Sequence, residues 1–297
     1  MVGSGGRCHP GQVMFLDDRS TGQIGQWVLD TEVWGHTLDP VEPCAPTHHR
    51  AQKFLGVVIV VMAALALWSG RPDAEPAPQV VALASEATMT ELGRALFYAH
   101  HPQVLDAAGF AGRCPDGAVG CYSAGATSIV VYEPDDQRLH GWVVTVAAHE
   151  MLHAAYSSLD EAERHDVDKL LALTMDALAP DDPLRFQVEA SVDGHEDSRR
   201  TEQFAYIGTQ VAQVDPRLEA VYARYFADRQ VVVGAYTTTG SMLAAMNADL
   251  AAQREVLGRL EAQGLTSDAE AQRDRVDVLV EDIGMLQAQI SGVTVGG

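Results

Sequence analysis

Positive charge is scarce in this sequence. Twenty Lys and Arg residues stand against 41 Asp and Glu, giving a net charge of −21, and only two of the cations are lysines, Lys53 and Lys169. Phosphate recognition needs clustered cations, so this balance argues against a nucleic-acid partner. The acid excess itself reads as a solvated surface. Cysteine is also sparse. Cys114 and Cys121 lie close together in Cys-Pro-Asp-Gly-Ala-Val-Gly-Cys, whereas Cys8 and Cys44 belong to an N-terminal arm of different character. If the two pairs occupy different compartments, the first is a disulfide and the second is reduced. Internal repeats are missing apart from a heptad-like pattern near the C-terminus. What is present in quantity is apolar residue: 47% of 297 positions, enough for one substantial domain with accessories and too much for wholesale disorder.

Residues 1–50 hold many Gly, Pro, Asp and His residues without a sustained period and read as a disordered arm. Cys8, His9, Cys44, His48 and His49 have spacing too long and irregular for a zinc knuckle, so free thiols are expected there. Phe54 to Trp68 is an unbroken apolar run, FLGVVIVVMAALALW. At ~1.5 Å per residue it spans about 22 Å, short of the ~30 Å hydrocarbon core, but flanking residues bring the segment 51–70 to the required length. A core helix rarely lacks a polar face, and a cleaved signal peptide rarely carries so long a leader, so a membrane anchor is expected. Arg50 and Lys53 before the run outnumber Arg71 after it, which places the N-terminus in the cytoplasm and the rest of the chain, Cys114 and Cys121 included, outside.

Three prolines in residues 71–79 suggest an extended stalk. From about Val80 the pattern becomes globular. Ser85 is placed to cap a helix with Met89, Leu92, Leu96 and Phe97 as its apolar stripe. Ile129-Val130-Val131-Tyr132 reads as a strand, either an ordinary core strand or an edge strand that could pair with an extended peptide. Trp142 to Tyr156 reads as a helix apolar almost all round, hence buried. Asp160 and Glu163 suggest a capping box; Asp215 with Pro216 opens another helix after one running from near Arg199 to Val211. In the last sixty residues, a 3-4 spacing broken at Gln253 is followed by a Gly264-Leu265-Thr266 turn. A capping pair, Ser267 and Glu270, precedes a second 3-4 repeat. This is a helical hairpin at 234–297, able to pack on the domain or to join two copies of the chain.

His149-Glu150-Met151-Leu152-His153 is H-E-x-x-H inside the predicted buried helix. Residues four apart on a helix lie one above the other, so both imidazoles can reach one zinc ion at ~2.0–2.1 Å. Glu150 then faces the fourth coordination position, where it can take a proton from water as general base. A third ligand is needed. A metzincin would continue to Gly at 156 and His at 159, but the chain has Tyr156 and Leu159, which excludes that class. A glutamate on a later helix is the other common solution. Glu202, opening Thr-Glu-Gln-Phe-Ala-Tyr-Ile-Gly-Thr, is favoured, with His195 and Glu196 as alternatives; Gly208 in this helix suggests a close backbone approach.

Between about Ser85 and Arg229 the chain resembles a group of membrane-anchored bacterial zincin-like proteins with a gluzincin-type site. The stretches that carry the resemblance are GRALFYAHHP, Cys114 with GCY, IVVYEPDDQRLHGWVVTVAAHEMLHAAY, TEQFAYIGT and YARYFADR. The resemblance implies a zincin-like fold and matches Glu202 to the glutamate of an N-E-x-H-S-x-x-G-T-E-like motif. This sequence departs from that motif at Thr201, Phe204, Ala205 and Gln210, and Phe204 cannot do what a histidine there would do.

The expectation is therefore an α+β, helix-dominated zincin-like domain at 80–233 with a short edge sheet, preceded by one transmembrane helix and followed by a C-terminal helical hairpin. Zn²⁺ would be held by His149, His153 and Glu202, with Glu150 as catalytic base, and the substrate would be a peptide or protein outside the membrane. A catalytically weak scaffold of the cell envelope and a zinc amidase acting on cell wall are the competing classes.

Overall fold

The computed structural model describes residues 75–192 and 195–291. The expected arm, the membrane helix at 51–70 and most of the stalk lie outside the described residues. Among those residues no helix is long and apolar enough to cross a membrane. The described chain is helix-dominated with one small three-stranded sheet, an α+β arrangement.

Helix α1 (Pro78–Glu86) begins inside the expected stalk, because proline at the first helical position already has the right φ and lacks only an N–H that would have no partner. Ser85 ends α1 rather than opening the next helix. The chain turns at Thr88 (φ +52°), and Met89 forms an isolated bridge with Phe226 instead of joining a helical stripe. Helix α2 (Glu91–Ala99) then starts at Thr90, whose hydroxyl accepts from Gly93 N at 3.1 Å.

Strand β1 (Gln103–Leu105) leads through the short helix α3 (Ala107–Phe110) to β2 (Gly120–Ser123) and β3 (Ser128–Tyr132). The order is β1-β3-β2, with β1 parallel and β2 antiparallel to β3. The β-branched run Ile129–Tyr132 is thus the central strand, not the edge. All four of its residues are buried, as a continuous apolar run requires when both faces are covered. A disulfide joins Cys121 of β2 to Cys114 in the preceding loop, with Cα atoms 5.7 Å apart.

A 3₁₀ turn at Gln137–Leu139 feeds helix α4 (His140–Ser157), which carries the H-E-x-x-H sequence. Fourteen of its 18 residues are buried, so the absence of a polar face is matched by neighbours on every side: α1, α2, β2, β3 and later helices. Helix α5 (Glu161–Ala177) is capped by Asp160, which accepts from Glu163 N at 2.8 Å; the Glu163 side chain pairs with Arg224 rather than closing the box. Helix α6 (Pro183–Val192) has little signal in the sequence. Its apolar contribution is only Leu184, Val188 and Val192, one residue per turn in an otherwise polar segment.

Helix α7 (Arg199–Gln210) carries Glu202 and packs against α4. Gly208 fits tightly there, since a Cβ would stand 2.5 Å from Leu152 Cδ1 and 2.8 Å from Tyr222 Cε1. The close approach is therefore to side chains rather than to the backbone expected. Helix α8 (Pro216–Tyr222) is capped by Asp215, whose carboxylate accepts from Arg217 N at 2.8 Å. Helix α9 (Arg229–Ala262) runs unbroken through the boundary expected at 233/234, with Val232 in the main core and Val233 buried beside it. The turn at Gly264 (φ +70°) reverses the chain into helix α10 (Thr266–Ile290). That helix starts at Leu265 without a side-chain cap, so Ser267 lies within its first turn rather than capping it. Leu250, Val276 and Ile283 form the hairpin's own core. The break at Gln253 is a polar layer: Gln272, 2% exposed, donates to Gln253 O at 3.0 Å and Oε1 at 2.8 Å. Arg138, just before α4, grips Asp282 of α10 through two hydrogen bonds of 2.8 and 2.6 Å.

Arg229 stabilises the junction of α7, α8 and α9. It is 3% exposed, pairs with Glu219 at 2.6 Å, and donates to the carbonyls of Gly208, Val211 and Ala212 at 3.2, 2.7 and 3.2 Å. Arg229→Met leaves these acceptors without a donor, so a loss on the order of 2–4 kcal/mol is expected. Urea unfolding monitored by circular dichroism checks it: the midpoint falls while the m-value stays constant.

Candidate metal centre

Three side chains from two helices converge at one point. His149 and His153 project from the same face of α4, and Glu202 reaches them from the first turn of α7. Glu202 Oε2 lies 3.6 Å from His149 Nε2 and Oε1 lies 3.7 Å from His153 Nε2. One ligand atom from each of the three residues falls within 4.8 Å of the others. A tetrahedral zinc ion with ~2.0–2.1 Å bonds separates its ligands by roughly 3.4 Å, close to the two Glu202 contacts and inside the 4.8 Å that bounds the whole group. His195 and Glu196 do not join the group. Glu196 is instead paired with Arg199 at 2.6 Å on the surface.

The surroundings orient the donors. Thr201 Oγ1 lies 2.8 Å from His153 Nδ1, which leaves Nε2 facing Glu202. Tyr122 of β2 stacks on His153 with ring centres 6.2 Å apart and planes 14° from parallel. Tyr206 packs its ring edge-on to His149 at 4.5 Å, and its hydroxyl lies 2.7 Å from Ser191 Oγ of α6. Gly120 of β2 lies directly against Glu150: a Cβ there would stand 2.7 Å from both Glu150 Oε1 and Val146 Cγ1. The edge strand that faces the site is therefore β2.

Charge at the cluster follows from burial and from the mutual proximity of its members. Burial raises the Glu150 carboxyl to about 7, with His149 opposing and Glu202 adding. Burial and then the neighbouring His149 lower His153 to about 4, with Glu202 opposing. Burial disfavours a charged His149, yet Glu202 and Glu150 outweigh it and hold its pKa above the usual value. Burial likewise opposes ionisation of Glu202, but His149 and then His153 keep the carboxyl below its ordinary range. Burial raises the Tyr206 phenol to about 12, with Ser191 opposing and the two glutamates adding, so it keeps its proton at neutral pH. A half-buried carboxylate bracketed by two imidazoles is a donor set of the kind that can hold a metal ion.

His149, Glu150, His153 and Glu202 are legible in the sequence, whereas most of the groups around them are not. Tyr206 was within reach of it, since it stands four residues after Glu202 on one helix and must share its face. Thr201 stands out in the sequence only as a departure from a motif. Tyr122, Gly120 and Ser191 carry no signal, because only the packing of β2 and α6 brings them here.

If Glu202 is the third ligand, Glu202→Ala lowers zinc affinity by orders of magnitude, whereas His195→Ala and Glu196→Ala leave it nearly unchanged. Thr201→Val, which removes the partner of His153 Nδ1, lowers it about 10–100-fold. Competitive titration against a chelator across the four variants separates these outcomes. Comparison of the chain with protein-family models, with curated proteins and with solved structures finds no match.

Proposed function

We propose that this chain is a zinc-dependent hydrolase, and specifically a metallopeptidase. The observation that carries the reading is the convergence of His149, His153 and Glu202 beside the buried carboxyl of Glu150. Zinc held by the three residues would supply Lewis acidity, bringing the pKa of a water toward ~7 and polarising a carbonyl. Glu150 takes a proton from the attacking water as its oxygen adds to the carbonyl carbon. The C–N bond then breaks, the proton passes from Glu150 to the departing amine, and a carboxylic acid and an amine are released, the acid then giving up its proton to solvent. No covalent intermediate with the protein is needed.

A peptide substrate is favoured by the free edge of β2. Val119 O accepts from Tyr132 N at 2.9 Å, and strand pairing alternates from there, so the N–H and C=O groups of Gly120 and Tyr122 point away from β3. An extended peptide adding to this edge would run past Glu150 and His153. The apolar run at 54–68 supports anchoring in a membrane with the hydrolase outside it, and the Cys114–Cys121 disulfide is consistent with an oxidising compartment.

The test is the Glu150→Gln variant of the zinc-loaded protein. It should retain the metal and the fold while hydrolysis of a peptide library falls by at least about 10²–10⁴-fold, the typical contribution of a general base. Wild-type turnover in this variant, or cleavage only of cell-wall amides by the native protein, would overturn the respective part of the reading.

One feature favours an additional role in assembly. Val278 and Met285 stand seven residues apart on α10 and are 67% and 46% exposed. A second copy of the chain would cover them through the hairpin. Sedimentation equilibrium then detects a dimer that Val278→Glu with Met285→Glu dissociates.

A further inference from the structure

Hydrolysis at a carbonyl places negative charge on the carbonyl oxygen as water adds, and a donor aimed at that oxygen is worth a large factor in rate. The histidine that the motif around Glu202 would place at position 204 is absent. The fold shows that no residue at that position could reach the metal centre. Phe204 is fully buried on the far side of α7, with its ring 5.6 Å from Tyr156 and 4.8 Å from Tyr222. Two positions separate it from Glu202, about 200° around a helix, so the two side chains point in opposite directions.

Tyr206 is differently placed. It follows Glu202 by four residues and so lies one turn further along the same face of α7. Its ring packs edge-on to His149 with centres 4.5 Å apart, and its hydroxyl lies 2.7 Å from Ser191 Oγ. Ser191 belongs to α6, a different element, so the phenol is fixed from two sides: the ring by His149 and the oxygen by Ser191. When the Ser191 hydroxyl donates to the phenolic oxygen, the phenol's own proton is left for another acceptor. Tyr206 is only half-buried, which leaves it open to a ligand arriving at the centre.

We propose that the Tyr206 hydroxyl, poised by Ser191, is the hydrogen-bond donor that stabilises the oxyanion formed on the scissile carbonyl. The inference rests on the hydrolase reading above and assigns to that same site a catalytic residue. Tyr206 performs no proton transfer; it donates one hydrogen bond that is stronger when the carbonyl oxygen carries charge, and it returns to Ser191 when the products leave.

The experiment compares the zinc-loaded wild type with Tyr206→Phe, a change that keeps the ring on His149 and removes only the hydroxyl. The probes are the best-cleaved member of a peptide library and its phosphinic analogue, whose tetrahedral anion mimics the adduct. In Tyr206→Phe, zinc affinity by chelator competition stays within about threefold of wild type. The kcat should fall about 10²–10³-fold with KM little changed, as for loss of one oxyanion donor. Calorimetric affinity for the phosphinic peptide should fall at least about tenfold, whereas affinity for the uncleaved substrate on a Glu150→Gln background stays the same. Wild-type kcat and wild-type phosphinic affinity in Tyr206→Phe would overturn this assignment and leave the hydrolase reading standing. A wild-type protein that binds zinc but neither cleaves peptides nor binds the phosphinic compound would overturn both.

Discussion

Four ionisable side chains on two packed helices impose the constraint to which the rest of the fold conforms. His149, Glu150 and His153 lie on α4, which is apolar almost all round, and Glu202 enters from α7. Each alone would be costly to bury, because an uncompensated charge in a water-poor interior loses several kcal/mol of hydration. Together they compensate one another: the two imidazoles hold the Glu202 carboxyl below its ordinary range, and Glu202 and Glu150 hold the His149 imidazole above its own. A divalent cation would take over that compensating charge. The helices around α4 therefore serve two ends, since they bury its apolar surface and hold α7 at the distance at which the cluster closes.

That distance is set by contacts well away from the cluster. Gly208 lets Leu152 and Tyr222 press against α7, Phe204 fills the space between Tyr156 and Tyr222, and Arg229 ties off the helix's C-terminal carbonyls. On the opposite side, the Cys114–Cys121 disulfide fixes β2, whose Gly120 and Tyr122 touch Glu150 and His153. The site is thus clamped between a disulfide-bonded strand and a helix anchored by a buried arginine. The hairpin is tied into the same system, because α9 begins in the core and Arg138 links α10 to the turn that precedes α4.

Much of this was legible in the sequence. The H-E-x-x-H spacing needs only helical geometry to put both imidazoles on one face, and an apolar run without a polar side can only be buried. Asp160, Asp215 and the proline after Asp215 act within one turn of themselves, so their helix starts were local information. The close cysteine pair and the 3-4 repeat of the hairpin were likewise readable from neighbouring residues.

Tertiary structure decided whatever depended on partners distant in sequence. Ile129–Tyr132 is strand-forming on its own account, but that it is central and β2 the edge depends on β1 pairing beside it. Ser85 and Ser267 look like caps, yet Thr90 and Leu265 mark the observed helix starts, because the chain turns where Met89 meets Phe226 and where Gly264 adopts positive φ. Helix α6, with one apolar residue per turn, is held by the elements it packs on rather than by its own periodicity. The same dependence governs the site. The sequence determined that His149, Glu150 and His153 share one helix with both imidazoles on one face, because spacing along a helix is a local property. Only the packing of α7, α6 and β2 against α4 decided that Thr201 orients His153, that Phe204 turns away, and that Tyr206 and Tyr122 flank the cluster, since those contacts join residues tens of positions apart.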